Sequence, residues 1–194
     1  MGRTSVDELL DSRWVLFSLE GGAEQVVMDK LIEADALRVP RQKIVDDPIY
    51  FTPYTRLRKA DQIAQRFFAT SYCADGASGL LLARIVDSRA GRFVLPRRWV
   101  HSCVVESFFT RPEIEVLGIH AEGAFKEWSR ASRRNRQLRP SEFCKANLRM
   151  RDVKSPSFLE RYWDERKLVD AIHAYDRHRN HASGELSLGD LLSK

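Results

Sequence analysis

The stretch Trp14-Val-Leu-Phe-Ser-Leu-Glu-Gly-Gly-Ala-Glu24 constrains this chain more than any other. An apolar run ends in Glu20, and the chain turns at Gly21-Gly22. Apolar residues then recur at Ala23, Val26, Val27, Leu31 and Ala34, which is helical spacing. Strand, glycine turn and helix in that order open an α/β unit. Glu20 falls at the carboxyl end of the strand, where open α/β sheets place ligands. Glu24 falls in the first helical turn, where a carboxylate also suits the helix dipole.

Two further segments extend the pattern. Leu80-Leu-Leu-Ala-Arg-Ile-Val-Asp87 is the near-continuous apolar run of a buried parallel strand, and it too closes on an acid. Val100 to Phe109 is apolar and β-branched and predicts a third core strand, with Glu106 at an exposed or site-facing position. Thr110-Arg-Pro112 signals a helix start, with Thr110 or Arg111 as cap and Pro112 at the first helical position. Glu113 and Glu115 then fall in the first turn, and Ile114, Leu117 and Ala121 form the buried stripe.

Elsewhere the spacing predicts helices over 6–11, 22–37, 59–68, 140–148, from Ser155-Pro156 onward, over 165–175 and over 187–192. Pro40, Pro48 and Pro53 break residues 38–58, and Asp46-Asp47-Pro48 is a turn signal. Tyr50–Tyr54 reads as a short edge strand and Arg92–Leu95 as another. Strand signals thus lie before about residue 110, and helices dominate afterwards. The length of 194 residues suits one domain with a small helical appendage. The expected fold is α/β: a small Rossmann-like parallel sheet flanked by helices over 1–125, then an arginine-rich segment and helical C-terminal extension over 126–194.

The net charge is +5, and the excess is uneven. Arg130, Arg133, Arg134, Arg136 and Arg139 form one cluster; Arg89, Arg92, Arg97 and Arg98 a second; Arg149, Arg151 and Lys154 a third. Guanidinium forks match phosphate geometry, and clustered cations release counterions from nucleic acid. If about five of them touched duplex phosphates, the log–log salt slope of binding would be roughly −4 to −5. The plain alternative is a solvated surface. No apolar run approaches the ~18 residues of a membrane span, so no membrane partner is expected. Cys73, Cys103 and Cys144 form no CxxC pair and no even-numbered framework, which points to a reducing cytoplasm.

The acids Glu20, Glu24, Asp87, Glu113 and Glu115 are the leading chemical candidates. Carboxylates at the ends of parallel strands converge on one sheet edge, and hard cations such as Mg²⁺ take oxygen ligands. Ordinary capping and surface acids are the alternative, most of all for Glu113 and Glu115. Here the residues resemble a known family. Glu20-Gly-Gly-Ala-Glu24 after an apolar strand looks like the E-G-x-x-E opening motif of Toprim domains, the Rossmann-like folds of topoisomerases, primases and OLD-family and RloB-like nucleases. Asp87 stands where that family's D-x-D motif would begin, and Arg111-Pro-Glu-Ile-Glu-Val-Leu-Gly-Ile-His120 is similar to the Pro-x-x-Glu helix of RloB-like proteins. The likeness covers roughly residues 13–125. It departs at Asp87-Ser88-Arg89, where an arginine replaces the second acid.

The resemblance implies a Toprim-like sheet, general acid/base work by Glu20, and Mg²⁺ (or Mn²⁺) held by Glu20, Glu24 and Asp87, with Glu115 as a further ligand. It implies phosphodiester hydrolysis on DNA or RNA in a bacterial defence setting, such as phage defence, or a mobile-element setting. Arg89, Arg133, Arg134 and Arg136 are the expected phosphate contacts. Arg89, in the place of an acid, would compete with a metal or grip a phosphate. The other readings are a non-catalytic nucleic-acid-binding subunit of a larger complex, and an adaptor for an acidic protein partner. His120-Ala-Glu122 has the H-x-E look of a zinc deaminase, but no P-C-x-x-C follows. His178-Arg-Asn-His181 lacks partner cysteines. The aromatics among the arginines, Trp99, Phe108, Phe109, Trp128, Tyr162 and Trp163, suit a core better than base stacking. No Walker motif, nucleophile elbow or kinase signature is present.

Overall fold

The computed structural model describes residues 5–68, 78–87, 93–179 and 184–193. Four parallel strands form one sheet in the order β1 (Trp14–Leu19), β2 (Leu80–Val86), β3 (Cys103–Phe109) and β4 (Leu186–Ser187). Among the described residues eight α-helices flank it. They are α1 (Val6–Ser12), α2 (Gly22–Glu33), α3 (Ala60–Phe67), α4 (Val116–Ala121), α5 (Phe125–Arg134), α6 (Pro140–Asn147), α7 (Pro156–Tyr162) and α8 (Glu165–His178). The architecture is α/β and Rossmann-like. Among the described residues no helix is long and apolar enough to cross a membrane.

Side chains alternate across the sheet, as the pleat requires. Val15, Phe17 and Leu19 of β1, with Leu81, Ala83 and Ile85 of β2 and Phe108 of β3, face α2, α7 and α8. Leu16, Leu80, Leu82 and Cys103 face the other way, onto Ile63, Ala64 and Phe67 of α3. Both faces are therefore covered, and the β1 and β2 runs are apolar at nearly every position for that reason. Gly79 sets the entry to β2. Its φ is +112°, and a Cβ there would stand 2.6 Å from the Ser102 carbonyl oxygen.

The outer edge of β1 is covered without a strand. Ile44 and Thr55 make single bridges to Val15 and Ser18, and the Thr55 N–H donates to the Phe17 carbonyl at 2.8 Å. The edge strand expected at Tyr50–Tyr54 is absent. Asp47, fully buried, instead accepts from the Ile49 and Tyr50 N–H groups and pairs with Arg66 at 3.1 Å, closing a turn over those residues. Residues 93–96 are irregular rather than a strand.

Three helix expectations shift. α2 ends at Glu33, short of Leu37, because Asp35 adopts a left-handed backbone with φ 51°. α4 begins at Val116, after a cis Arg111–Pro112 peptide, so Pro112 is not its first residue and Glu115 is its N-cap. Glu113 is held elsewhere. Its carboxylate accepts from the Ser141 N–H at 3.2 Å and pairs with Lys154 at 3.1 Å.

Residues on both sides of position 125 share one apolar cluster. Trp163, Leu168, Ile172, Leu188 and Leu191 belong to the same apolar cluster as β1 and β2, and β4 pairs with β3 through Phe108 and Phe109. α5, α6 and the turn after them pack with Ile119 of α4 into a satellite around Trp128, Phe143, Cys144, Met150 and Val153. Cys103 and Cys144 are buried free thiols, each pushed up to about 12 by burial; Cys73 lies outside the described residues.

The C-terminal tail is thus core rather than appendage. Leu191→Ala should lower the unfolding free energy by about 2–5 kcal/mol, while Arg133→Ala should stay within about 0.5 kcal/mol of the parent. Urea denaturation of both variants checks this, and a neutral Leu191→Ala would contradict the packing.

Candidate active site

The parallel register places the ends of β1, β2 and β3 on one edge. Leu19 pairs with Ile85, and Val86 with Phe109. Glu20 leaves β1 and Asp87 leaves β2 at adjacent positions on that edge. The two carboxyls lie within electrostatic reach of each other: the Asp87 charge opposes ionisation of Glu20, while the Asp87 N–H favours it. Burial, and then the neighbouring Asp87 charge, raise Glu20 above the ordinary carboxylate range.

Glu24 sits in the first turn of α2 with only 7% of its surface exposed. Burial raises its carboxyl most, and the charges of Asp87 and Glu20 add to that. Its own N–H and that of Gly21 act in the opposite direction as donors. Gly21 is extended, at φ −142° and ψ −178°, so any residue could adopt its backbone. A Cβ there would meet the Glu24 Oε2 at 2.8 Å, so a larger residue would push that carboxyl aside. Glu115, also 7% exposed, lies within electrostatic reach of Glu24, and burial raises it too. Burial pulls Glu113 the same way, but the hydroxyl and N–H of Ser141 and the Lys154 ammonium outweigh it, and Glu113 is lowered.

Three cations surround these acids. Lys154 stands 3.1 Å from Glu113 and 4.0 Å from Glu115. It remains at the surface, in the third basic cluster, and also pairs with acids of the chain. Arg58 and Arg84 both act on Glu20 through space. Arg84 is half-buried on β2 with its guanidinium 4.4 Å from the Phe93 ring centre, and burial lowers its pKa. Among the described residues no salt bridge within 4.0 Å reaches Glu20, Glu24 or Asp87. Arg84 was visible in the sequence as a charge interrupting an apolar strand, and Arg58 carried no signal.

The other expected contacts are dispersed. Arg133 and Arg134 end α5, Arg136 follows it, and all three are exposed; Arg89 lies outside the described residues. Trp128, Phe108 and Trp163 are core, as read. His120 is 8% exposed, with its ring stacked on Phe125 at 4.8 Å and edge-on to Tyr175 at 5.8 Å. Burial, then the positive charges of His178 and Arg177, bring its pKa down to about 4. Among the described residues no group of three or more His, Cys, Asp or Glu side chains is arranged to hold a metal ion.

Fold and site together define an all-parallel α/β protein with a carboxylate pair at its strand-end edge and a third and fourth acid behind it. No protein-family model, curated protein or solved structure matches the chain.

The acids carry a stability signature. Each raised carboxyl binds its proton more tightly in the folded chain than in the unfolded one, so stability falls as pH rises from the unfolded value of 4.5 through the raised one. Glu24→Gln removes one such charge. It should stabilise the protein by about 0.5–2 kcal/mol at pH 8, and the gain should shrink at pH 5. Urea denaturation at both values measures it, and a variant less stable than the parent at pH 8 would show that the Glu24 charge is well compensated.

Proposed function

We propose that this chain processes nucleic acid by hydrolysing phosphodiester bonds with the help of Mg²⁺ or Mn²⁺, in a bacterial defence or mobile-element setting. The observation that carries the reading is that Glu20 and Asp87 leave adjacent strands at the carboxyl edge of a parallel sheet within electrostatic reach of each other, with Glu24 also in reach. Carboxylates gathered in this way favour a cation among them. Oxygen donors of this kind suit a hard divalent ion, and Mg²⁺ commonly takes only one or two carboxylates and completes its shell with water and phosphate. Glu20 and Asp87 would hold it, with Glu24 and Glu115 behind them. When bound, such an ion lowers the pKa of water and neutralises charge on a phosphoryl group.

The chain's own residues supply the rest. Glu20, raised by burial and by Asp87, would do the general acid/base work. Arg58 and Arg84 act on it through space and would favour negative charge there. The exposed Arg133, Arg134 and Arg136 are assigned to phosphates of DNA or RNA. The Toprim resemblance of Glu20-Gly-Gly-Ala-Glu24 and Asp87 supports the same chemistry.

A second reading is favoured by the arginines. With Arg84 and Arg58 beside Glu20, and an arginine in place of the second acid after Asp87, the edge also suits a bound phosphate that is never cleaved. The chain would then be a non-catalytic nucleic-acid-binding subunit or adaptor of a larger complex.

Nicking of plasmid DNA and cleavage of RNA with Mg²⁺ or Mn²⁺ separate the two. The parent should cleave, and Glu20→Gln should be slower by about 10²–10⁴-fold with salt-sensitive binding retained. If the parent is inert with both metals while salt-sensitive binding persists, the non-catalytic reading replaces the enzyme.

A further inference from the structure

A second cavity, of about 370 Å³, opens at the carboxyl end of β3. Its walls come from Phe109 and Arg111 after the strand, His120 on α4, Phe125 on α5, and Tyr175 and His178 on α8. The rings stand around the space in mixed orientations. His120 stacks on Phe125 at 21°, Tyr175 meets His120 edge-on at 84°, and Phe125 and His178 are tilted by 40° at 4.3 Å. The rings pack against one another and together give the cavity an aromatic wall.

The polar groups exclude a simple anion site. Arg111 is paired with Glu185 at 3.1 Å and lies over the Phe109 ring at 4.5 Å. Arg179, also at the wall, is held by Asp176 at 2.6 Å and Asp190 at 3.2 Å. Each guanidinium thus already has a carboxylate. His120 is neutral at pH 7, since burial and the charges of His178 and Arg177 depress it. A small cavity with aromatic walls and guanidiniums that are already paired fits a flat, uncharged ring. The volume lies near the lower end of ligand pockets, about 300–1,000 Å³, enough for one such ring with a sugar.

Position joins this cavity to the acids. Phe109 pairs with Val86, the residue before Asp87, and the wall residue Val116 follows Glu115 directly. We propose that this cavity receives one nucleobase of a nucleic-acid strand whose backbone lies along the acidic edge, an inference that rests on the nucleic-acid reading above. A base turned out of its stack and held between aromatic side chains is an established mode of recognition.

The probes are adenosine, guanosine, cytidine and uridine with their 5′-monophosphates, against ribose 5-phosphate and inorganic phosphate. Calorimetry on the full chain gives affinity, and a single-stranded oligonucleotide serves as competitor. At least one nucleoside should bind, ribose 5-phosphate and phosphate should not, and the oligonucleotide should displace the nucleoside. His178 is exposed, so His178→Ala keeps the fold, and Phe125→Leu keeps apolar volume while removing the ring face. Each should weaken nucleoside binding at least five-fold at an unchanged melting temperature. No nucleoside binding, unchanged affinity in both variants, or binding of ribose 5-phosphate as tight as that of the nucleotides overturns the base pocket. Nucleoside binding that the oligonucleotide cannot displace overturns the strand placement. Failure of the hydrolysis reading is seen separately, as absence of metal-dependent cleavage by a parent chain that still binds the nucleoside.

Discussion

The in-register parallel pairing of β1, β2 and β3 is the constraint on which the rest of this molecule depends. Parallel strands must return by long crossovers, so every strand leaves the sheet at the same edge. With Leu19 opposite Ile85 and Val86 opposite Phe109, three exits lie side by side. Glu20, Asp87 and the turn carrying Arg111 are those exits. A one-residue slip of β2 would exchange its faces, turning Leu81, Ala83 and Ile85 away from α2 and α8. The same slip would part Asp87 from Glu20. Core packing and site geometry are therefore set by one register, and Gly79 guards it by allowing β2 to begin hard against the Ser102 carbonyl.

The sheet was legible where burial on both faces leaves a continuous apolar run. Trp14–Leu19 and Leu80–Val86 are of that kind, and the acids closing them were legible with them. β3 was readable for the same reason, although it starts at Cys103 rather than Val100. What stayed hidden was decided by contacts distant in sequence. β4 has two residues, too few for any period, and exists because β3 presents a free edge to it. The helix-start signal at Thr110-Arg-Pro112 was overruled by Glu113, which is tied to Ser141 and Lys154, and by the Arg111 N–H, which donates to the Tyr175 hydroxyl at 2.8 Å. At the site, Glu20 and Asp87 could be placed on one edge from strand order alone. The partners Arg58 and Lys154 come from loops, and loops have no period to read.

Charge is distributed in an unusual way for a chain of net +5. The arginines of and after α5 are exposed, while buried acids gather at the sheet edge. Desolvating a carboxylate is costly, and desolvating several together adds repulsion. The fold limits that cost unequally. Glu113 is fully served by Ser141 and Lys154, and Lys154 reaches on towards Glu115. Glu20 and Asp87 have each other, with Arg58 and Arg84 at longer range. The acids left least compensated are thus those nearest the strand ends. Strain of this electrostatic kind is what a functional site retains and a structural ion-pair network removes.

Helix α4 joins the two halves of the edge. Its N-cap Glu115 belongs to the acids, while Val116 and His120 line the aromatic cavity on the side of α8. The helix is short and almost wholly buried, with Leu117 and Ile119 fully enclosed; a Cβ added at Gly118 would stand 3.6 Å from the Met150 sulfur. Close-packed interiors do not deform smoothly, so a helix held this way moves as a unit or not at all. The acids behind the strand ends and the aromatic cavity therefore share one six-residue helix, and the packing of that helix fixes their relative position.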